Sequence, residues 1–288
     1  MKIGMLTDSL PNLSFEAMLA AAAELGIAHL EFGCGNWSPA PHLNLDALLE
    51  SESARRGFLA KLADHGMAIS ALNCSGNPLF PGAEGRRQHD VTLKTFRLAK
   101  LLGVDRIVMM SGLPGGPGDA NPNWIVTEWP PECRAILKYQ WDECVIPYWR
   151  KLVVAARDNG IARICLELHG AQAVYNPRTL QRLRNAVGET VGANYDPSHP
   201  IWMGADPLAA VRALGEAIYY VHAKDTRIET IPAGIDGVLE TAPADQAAAR
   251  GWNYVTLGFG HGEQWWRAFC ATLRMVGYDD VLSIEHED

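Results

Sequence analysis

Four short stretches of this 288-residue chain end an apolar run in residues that can bind a metal ion or move a proton. They are Arg163-Ile-Cys-Leu-Glu167-Leu-His169, Gly192-Ala-Asn-Tyr-Asp196-Pro-Ser-His199, Ile218-Tyr-Tyr-Val-His222-Ala-Lys224-Asp225 and Val281-Leu-Ser-Ile-Glu285-His-Glu287. Short apolar runs bounded by turn residues read as buried strands, which places Glu167, Asp196, His222 and Glu285 at strand ends. Three carboxylates and one imidazole make an oxygen-rich donor set with a single nitrogen. Such a set suits Mn²⁺, Mg²⁺ or Co²⁺ better than the nitrogen- and sulfur-rich tetrahedral sites of structural zinc. Any one of the four would be unremarked as a solvated strand-end residue; together they read as one convergent site.

The neighbouring residues are less determined. His199 reads as a second-metal ligand, a substrate contact or a histidine in a polar loop, with substrate contact preferred. His169, two residues beyond Glu167, points the same way along its strand and reads as a substrate contact or a buried structural partner. Lys224 and Asp225 are expected to neutralise each other as a strand-end ion pair. His261, in Gly258-Phe-Gly-His-Gly-Glu263, sits at a glycine-rich helix entry that holds an anion or simply turns the chain.

The elements that must position these groups alternate regularly. Strands are predicted at Lys2–Leu6, Ala28–Phe32, Met67–Leu72, Arg106–Met110, Ile161–Leu168, Val191–Tyr195, Ile218–Ala223 and Val281–Ile284. Between them, helices are predicted from Ser14 to Gly26, Leu45 to His65, Gly85 to Leu102, Glu132 to Asn159, Asn176 to Val187, Asp206 to Gly215 and Glu263 to Gly277. Serine or asparagine caps and closing glycines mark several ends. Eight buried strands alternating with helices predict a parallel sheet closed into a (β/α)8 TIM barrel, one α/β domain over residues 1–288. An open doubly wound sheet is the competing architecture, but no G-x-G-x-x-G follows the first strand. The long segments 111–131 and 226–262 fall after strands four and seven, on the face where such barrels carry their sites. Both contain tryptophan (Trp124, Trp129, Trp252), and both read as lids.

Composition narrows the function further. A net charge of −8 and a pI near 5.6 argue against a nucleic-acid or anionic-membrane partner and favour a small neutral or metal-held ligand. Six scattered cysteines without a C-x-x-C pair read as reduced thiols, and the opening residues show no signal-peptide pattern, so a cytoplasmic location is expected.

The chain resembles the xylose-isomerase-like barrel superfamily along its whole length, most sharply at Leu166-Glu167-Leu-His169, Asn194-Tyr-Asp196-Pro-Ser-His199, Val221-His222-Ala-Lys224-Asp225 and Ser283-Ile-Glu285-His286. That superfamily includes ketose 3-epimerases, inosose dehydratases, hydroxypyruvate isomerases and endonuclease IV. The resemblance implies a metal held by Glu167, Asp196, His222 and Glu285, with Mn²⁺ in first place and Mg²⁺, Co²⁺ or Zn²⁺ as the other ions. It implies Glu167 and Glu285 as the proton-transferring pair, and His199 and Arg227 as holders of substrate oxygens. The activity implied is isomerisation or epimerisation of a keto-sugar or related polyhydroxylated carbonyl compound through a metal-stabilised enediolate, in a homo-oligomer such as a dimer or tetramer. Two rivals are a lyase in the same pocket, on the inosose dehydratase pattern, and a non-catalytic sugar-binding barrel. Endonuclease chemistry is disfavoured, because Asn73-Cys-Ser75 and Ser111-Gly112 replace the extra histidines a trinuclear zinc site needs, and 226–262 contains no Asp-x-His.

Overall fold

Residues 1–287 are described by a computed structural model. The strand-forming segments are rich in Ile, Val, Leu and Ala and are buried on both faces, as parallel strands between helices must be. The first seven strands are β1 (Lys2–Leu6), β2 (His29–Gly33), β3 (Ala68–Asn73), β4 (Arg106–Met109), β5 (Arg163–Glu167), β6 (Val191–Tyr195) and β7 (Ile218–Ala223). Two more, β8 (Asp225–Ile228) and β9 (Trp252–Val255), form a separate antiparallel pair, and β10 (Val281–Ile284) closes the chain's strand set. β1 to β7 and β10 pair in the order β1-β10-β7-β6-β5-β4-β3-β2 as a closed parallel barrel. The expected (β/α)8 barrel is therefore present, with strand bounds shifted from those expected by no more than two residues.

The helices are α1 (Phe15–Glu24), α2 (Leu45–Glu50), α3 (Glu52–Asp64), α4 (Ala83–Leu102), α5 (Glu132–Tyr139), α6 (Ile146–Asp158), α7 (Pro177–Val187), α8 (Ser198–Trp202), α9 (Pro207–Leu214), α10 (Thr230–Asp236) and α11 (Glu263–Met275). Three departures from the sequence expectation have local causes. The helix expected over Leu45–His65 breaks at Ser51, which turns extended (φ −119°, ψ 116°) and caps α3 by accepting the Ala54 N–H. The helix over Glu132–Asn159 runs through a π turn at Gln140–Val145 just before Pro147, a residue with no N–H to donate. The segment 226–262, expected as a long loop serving as a lid, carries regular structure: α10, β9 and, from Asp225 onward, β8.

Two apolar layers hold the barrel. The larger joins outward-facing strand residues such as Leu30, Phe32, Leu166 and Tyr195 to helix residues such as Met18, Phe96, Trp149 and Phe269. The smaller contains Ala71, Val108, Cys165, Tyr220 and Val281, one from each of five barrel strands, and so fills the interior. Side chains two residues apart on a strand share a face. Cys165 thus shares its face with Glu167, Tyr220 with His222, and Val281 with Ser283 and Glu285, so the apolar interior layer is the floor beneath the polar site. No helix is long and apolar enough to cross a membrane among the described residues.

Candidate metal centre

Glu167 is the last residue of β5, Asp196 follows β6, His222 lies near the end of β7 and Glu285 follows β10. Because β5, β6, β7 and β10 are consecutive in the barrel, their ends converge, and one donor atom from each of the four residues lies within 4.8 Å of the others. Asp196 and His222 have no exposed surface, and Glu167 is 2% exposed. Buried polar atoms are expected to be hydrogen-bonded, yet Asp196 Oδ2, His222 Nδ1 and Glu285 Oε2 are not. His222 Nδ1 stands 2.9 Å from Glu285 Oε2 without the alignment of a hydrogen bond. Three carboxylates and one ring nitrogen gathered this closely, with no aligned hydrogen bond at these three atoms, make a donor set that fits a divalent ion with oxygen preference.

Glu31 of β2, absent from the sequence-based site, fixes the imidazole. It is completely buried, and its carboxylate lies 2.9 and 3.1 Å from His222 Nε2. A carboxylate can only accept, so Nε2 carries a proton, which leaves Nδ1 as the ring nitrogen that faces Glu285 and Glu167 and would meet an ion there. Asn73 Nδ2 (2.7 Å) and Ser283 Oγ (2.8 Å) donate to the same carboxylate. The signal was present in the sequence: a glutamate between Leu30 and Phe32, both buried, must be bonded to something.

The charges around the centre displace one another's protonation. Burial and the nearby Glu285 push the Glu167 carboxyl above its ordinary range. Burial also acts to raise Glu285, but Lys224 and His222 outweigh it and hold that carboxyl low. Asp196 is likewise held low against burial, by His199 and Lys224. Against burial, Asp196 and Glu167 raise His199 to about 9, while Glu31 and Glu285 raise His222 well above its usual value.

The expected Lys224–Asp225 ion pair does not form. Lys224 is 4% exposed and points into the centre, with Nζ 2.6 Å from Glu287, 3.5 Å from Glu285 and 4.0 Å from Asp196, over the Tyr254 ring at 4.3 Å. Adjacent strand residues face opposite ways, and Asp225 turns outward. There it accepts the N–H groups of Gly258 (3.0 Å), Gly260 (3.1 Å) and His261 (3.0 Å) and meets His261 Nδ1 at 2.9 Å. The glycine-rich turn therefore wraps the protein's own carboxylate. A side chain at Gly260 would strike the Thr226 carbonyl and Asp225 itself.

His199, in α8 just past the end of β6, lies beside the centre with no exposed surface. Its Nε2 is 2.7 Å from Glu167 Oε1 and 3.2 Å from Asp196 Oδ2, and its Nδ1 is 3.0 Å from the Tyr254 hydroxyl. His169 packs on it with ring centroids 4.1 Å apart, and burial holds its imidazole down to about 3, a neutral ring. Glu167, His169 and His199 also offer donor atoms within 4.8 Å of one another. Arg227 is not brought to the carboxylates: it sits on β8, half-exposed, paired with Glu229 at 2.7 Å, and lines a different cavity. Tyr254 has no counterpart in the sequence-based site, because only the β8–β9 pairing carries it back over His199.

A cavity of about 330 Å³ opens onto the centre, and both Glu167 and Glu285 line it. Asp8, Trp37, Ser75 and Glu287 contribute further walls. Trp124 of the 111–131 segment and Trp252 of β9 approach each other through Trp202 of α8, at 6.4 and 4.8 Å between ring centroids.

A barrel with oxygen donors gathered at the ends of its last strands defines a class, and sequence comparison assigns it: the chain belongs to the xylose isomerase-like TIM barrel family, whose model matches residues 19–288. It is 53% identical over 291 residues to the uncharacterized protein YfiH of Bacillus subtilis (strain 168), covering 100% of this chain and 93% of that protein. Among solved structures, the fold is similar to the probable 3-DHS dehydratase AsbF of Bacillus anthracis, involved in petrobactin synthesis (TM-score 0.67, 19% identity, 99% of this chain and 93% of that chain). It is also similar to a D-tagatose 3-epimerase-like protein (TM-score 0.64, 20% identity, 99% and 90%).

Proposed function

We propose that the protein is a divalent-metal-dependent isomerase or epimerase acting on a keto-sugar or a related polyhydroxylated carbonyl compound. The observation that carries this reading is that Glu167 and Glu285 belong to one donor cluster and also line one cavity. The proposed ligands are Glu167, Asp196, His222 and Glu285, with Mn²⁺ favoured by the oxygen-rich set. When bound there, the ion would supply Lewis-acid stabilisation of negative charge developing on adjacent carbonyl and hydroxyl oxygens.

The chain's own residues supply the rest. One of the two glutamates takes the proton from the carbon next to the carbonyl, giving an enediolate, and the other returns a proton to the same or the neighbouring carbon. Positioned acid–base assistance of this kind is typically worth about 10²–10⁴-fold. His199 is proposed to hold Glu167 in place through its 2.7 Å contact, and Tyr254 to hold His199. His169 is proposed to reach a substrate hydroxyl from the same side. A lyase reading, in which the same enolate expels a β-hydroxyl, draws support from the likeness to AsbF.

The test is proton exchange. Mn²⁺-loaded protein incubated in D₂O with a panel of keto-sugars and inososes should place deuterium next to the carbonyl of the turned-over member. Glu285→Gln should abolish that exchange. Turnover without deuterium, or near-normal kcat in Glu285→Gln, counts against the glutamate pair, and net loss of water from the product selects the lyase.

A further inference from the structure

The charges that face the cavity identify a narrower substrate class, in an argument that rests on the proton-transfer reading of the same site. Besides the proposed metal-ligand carboxylates of Glu167 and Glu285, the cavity wall carries those of Asp8 and Glu287 and the imidazole of His286, and, among the described residues, no lysine or arginine. Lys224, whose ammonium points into the centre, does not line the cavity. Its Nζ is held by Glu287 at 2.6 Å and Glu285 at 3.5 Å and is covered by the Tyr254 ring at 4.3 Å. Arg227 and Arg250 line another cavity, where Arg227 pairs with Glu229 and Arg250 donates to the carbonyls of Ala242 and Trp252. The first N–H of α8, beside the centre, is already taken by Asp196 Oδ1 at 2.8 Å. Away from the ion itself, phosphate and carboxylate groups are held by arginine, lysine or open helix N-termini, and none of these faces this cavity.

Hydroxyl groups find the opposite. On the wall residues Asp8 and Ser75, Oδ1 and Oγ have no hydrogen-bond partner and lie under the cavity surface, so a turn of either side chain brings an uncommitted polar atom to a sugar hydroxyl. A carboxylate accepting from a sugar hydroxyl makes a charge-assisted bond. Trp37, 52% exposed, offers an indole to the C–H face of the same molecule.

We propose that this cavity takes an uncharged polyhydroxylated carbonyl compound and rejects phosphate esters, and that Glu287 determines this selectivity by occupying Lys224. Removing the Glu287 charge leaves Lys224 with only the more distant Glu285 and Asp196, so its positive charge reaches the cavity. A phosphate ester then gains a partner and loses a repelling neighbour, whereas an uncharged sugar gains neither.

The test is binding to full-length Mn²⁺-loaded protein, read as paramagnetic broadening of ¹³C resonances, with uncharged ketohexoses and their 6-phosphates as paired probes. The uncharged member should bind at least about tenfold more tightly than its ester. Glu287→Gln should raise the ratio of ester affinity to uncharged-sugar affinity by about tenfold. Equal or tighter ester binding by the unmodified protein overturns the proposal, as does binding of no uncharged member, or a Glu287→Gln variant that melts normally with its discrimination unchanged. Ester preference with proton exchange intact would sink the charge argument alone. Preference for uncharged sugars without proton exchange would sink the glutamate mechanism alone.

Discussion

Glu31 illustrates how one buried carboxylate sets the chemistry of a residue it does not share a strand with. By accepting from His222 Nε2, Asn73 and Ser283, it leaves Nδ1 as the nitrogen that His222 presents toward Glu285 and Glu167. Partners that orient a metal-binding histidine are typically worth 10- to 100-fold in affinity. Glu31→Gln keeps the shape but loses one accepting oxygen and the charge. It should weaken Mn²⁺ binding by about that factor in calorimetric titration, with His222 and the three carboxylates unchanged. Unaltered affinity would show that the imidazole needs no such anchor. The four residues at the centre were legible in the sequence because each ends an apolar run. Glu31 was equally visible as a type but had no assigned partner, since a bond between β2 and β7 is a property of the closed barrel.

At the scale of elements, the pairing of β8 with β9 decides what lies over the site. It returns the chain from the outer surface and sets Tyr254 against both His199 and Lys224. Asp225 secures the far end of this excursion by gathering three backbone N–H groups. Hydrogen bonds to a charged acceptor contribute about 1.5–3 kcal/mol each to local stability. Asp225→Ala should therefore speed amide exchange at Gly258, Gly260 and His261 by an order of magnitude or more, with β7 and β10 still protected. Protection retained at those three amides would mean the turn holds itself. The sequence reading mistook this aspartate for the partner of Lys224 because it weighed opposite charge and adjacency, while strand pleating sends neighbours to opposite faces. The break at Ser51 was hidden for a related reason: the helical apolar spacing continues across it, and only the extended backbone shows that a new helix begins there.

At the scale of the molecule, the alternation of buried strands and helices was enough to specify a closed barrel, and barrel closure is what brings four distant stretches of chain to one place. Chain order sets β5, β6 and β7 side by side, and β10 follows them because β8 and β9 pair away from the barrel. Beneath them the Ala71, Val108, Cys165, Tyr220 and Val281 layer closes the interior, so a ligand can approach only from the strands' C-terminal side. What the sequence did not disclose was the electrostatic lining of that approach: Lys224 turned inward, Glu287 over it and Arg227 elsewhere all depend on how the β7–β8 junction folds. The central claim is that Glu167, Asp196, His222 and Glu285 together hold one divalent ion. Protein stripped with chelator, reloaded with Mn²⁺ and assayed by elemental analysis should carry one equivalent. Asp196→Asn, matched for folding by circular dichroism, should carry none. Stoichiometric metal in the variant, or none in the unmodified protein, would contradict the account.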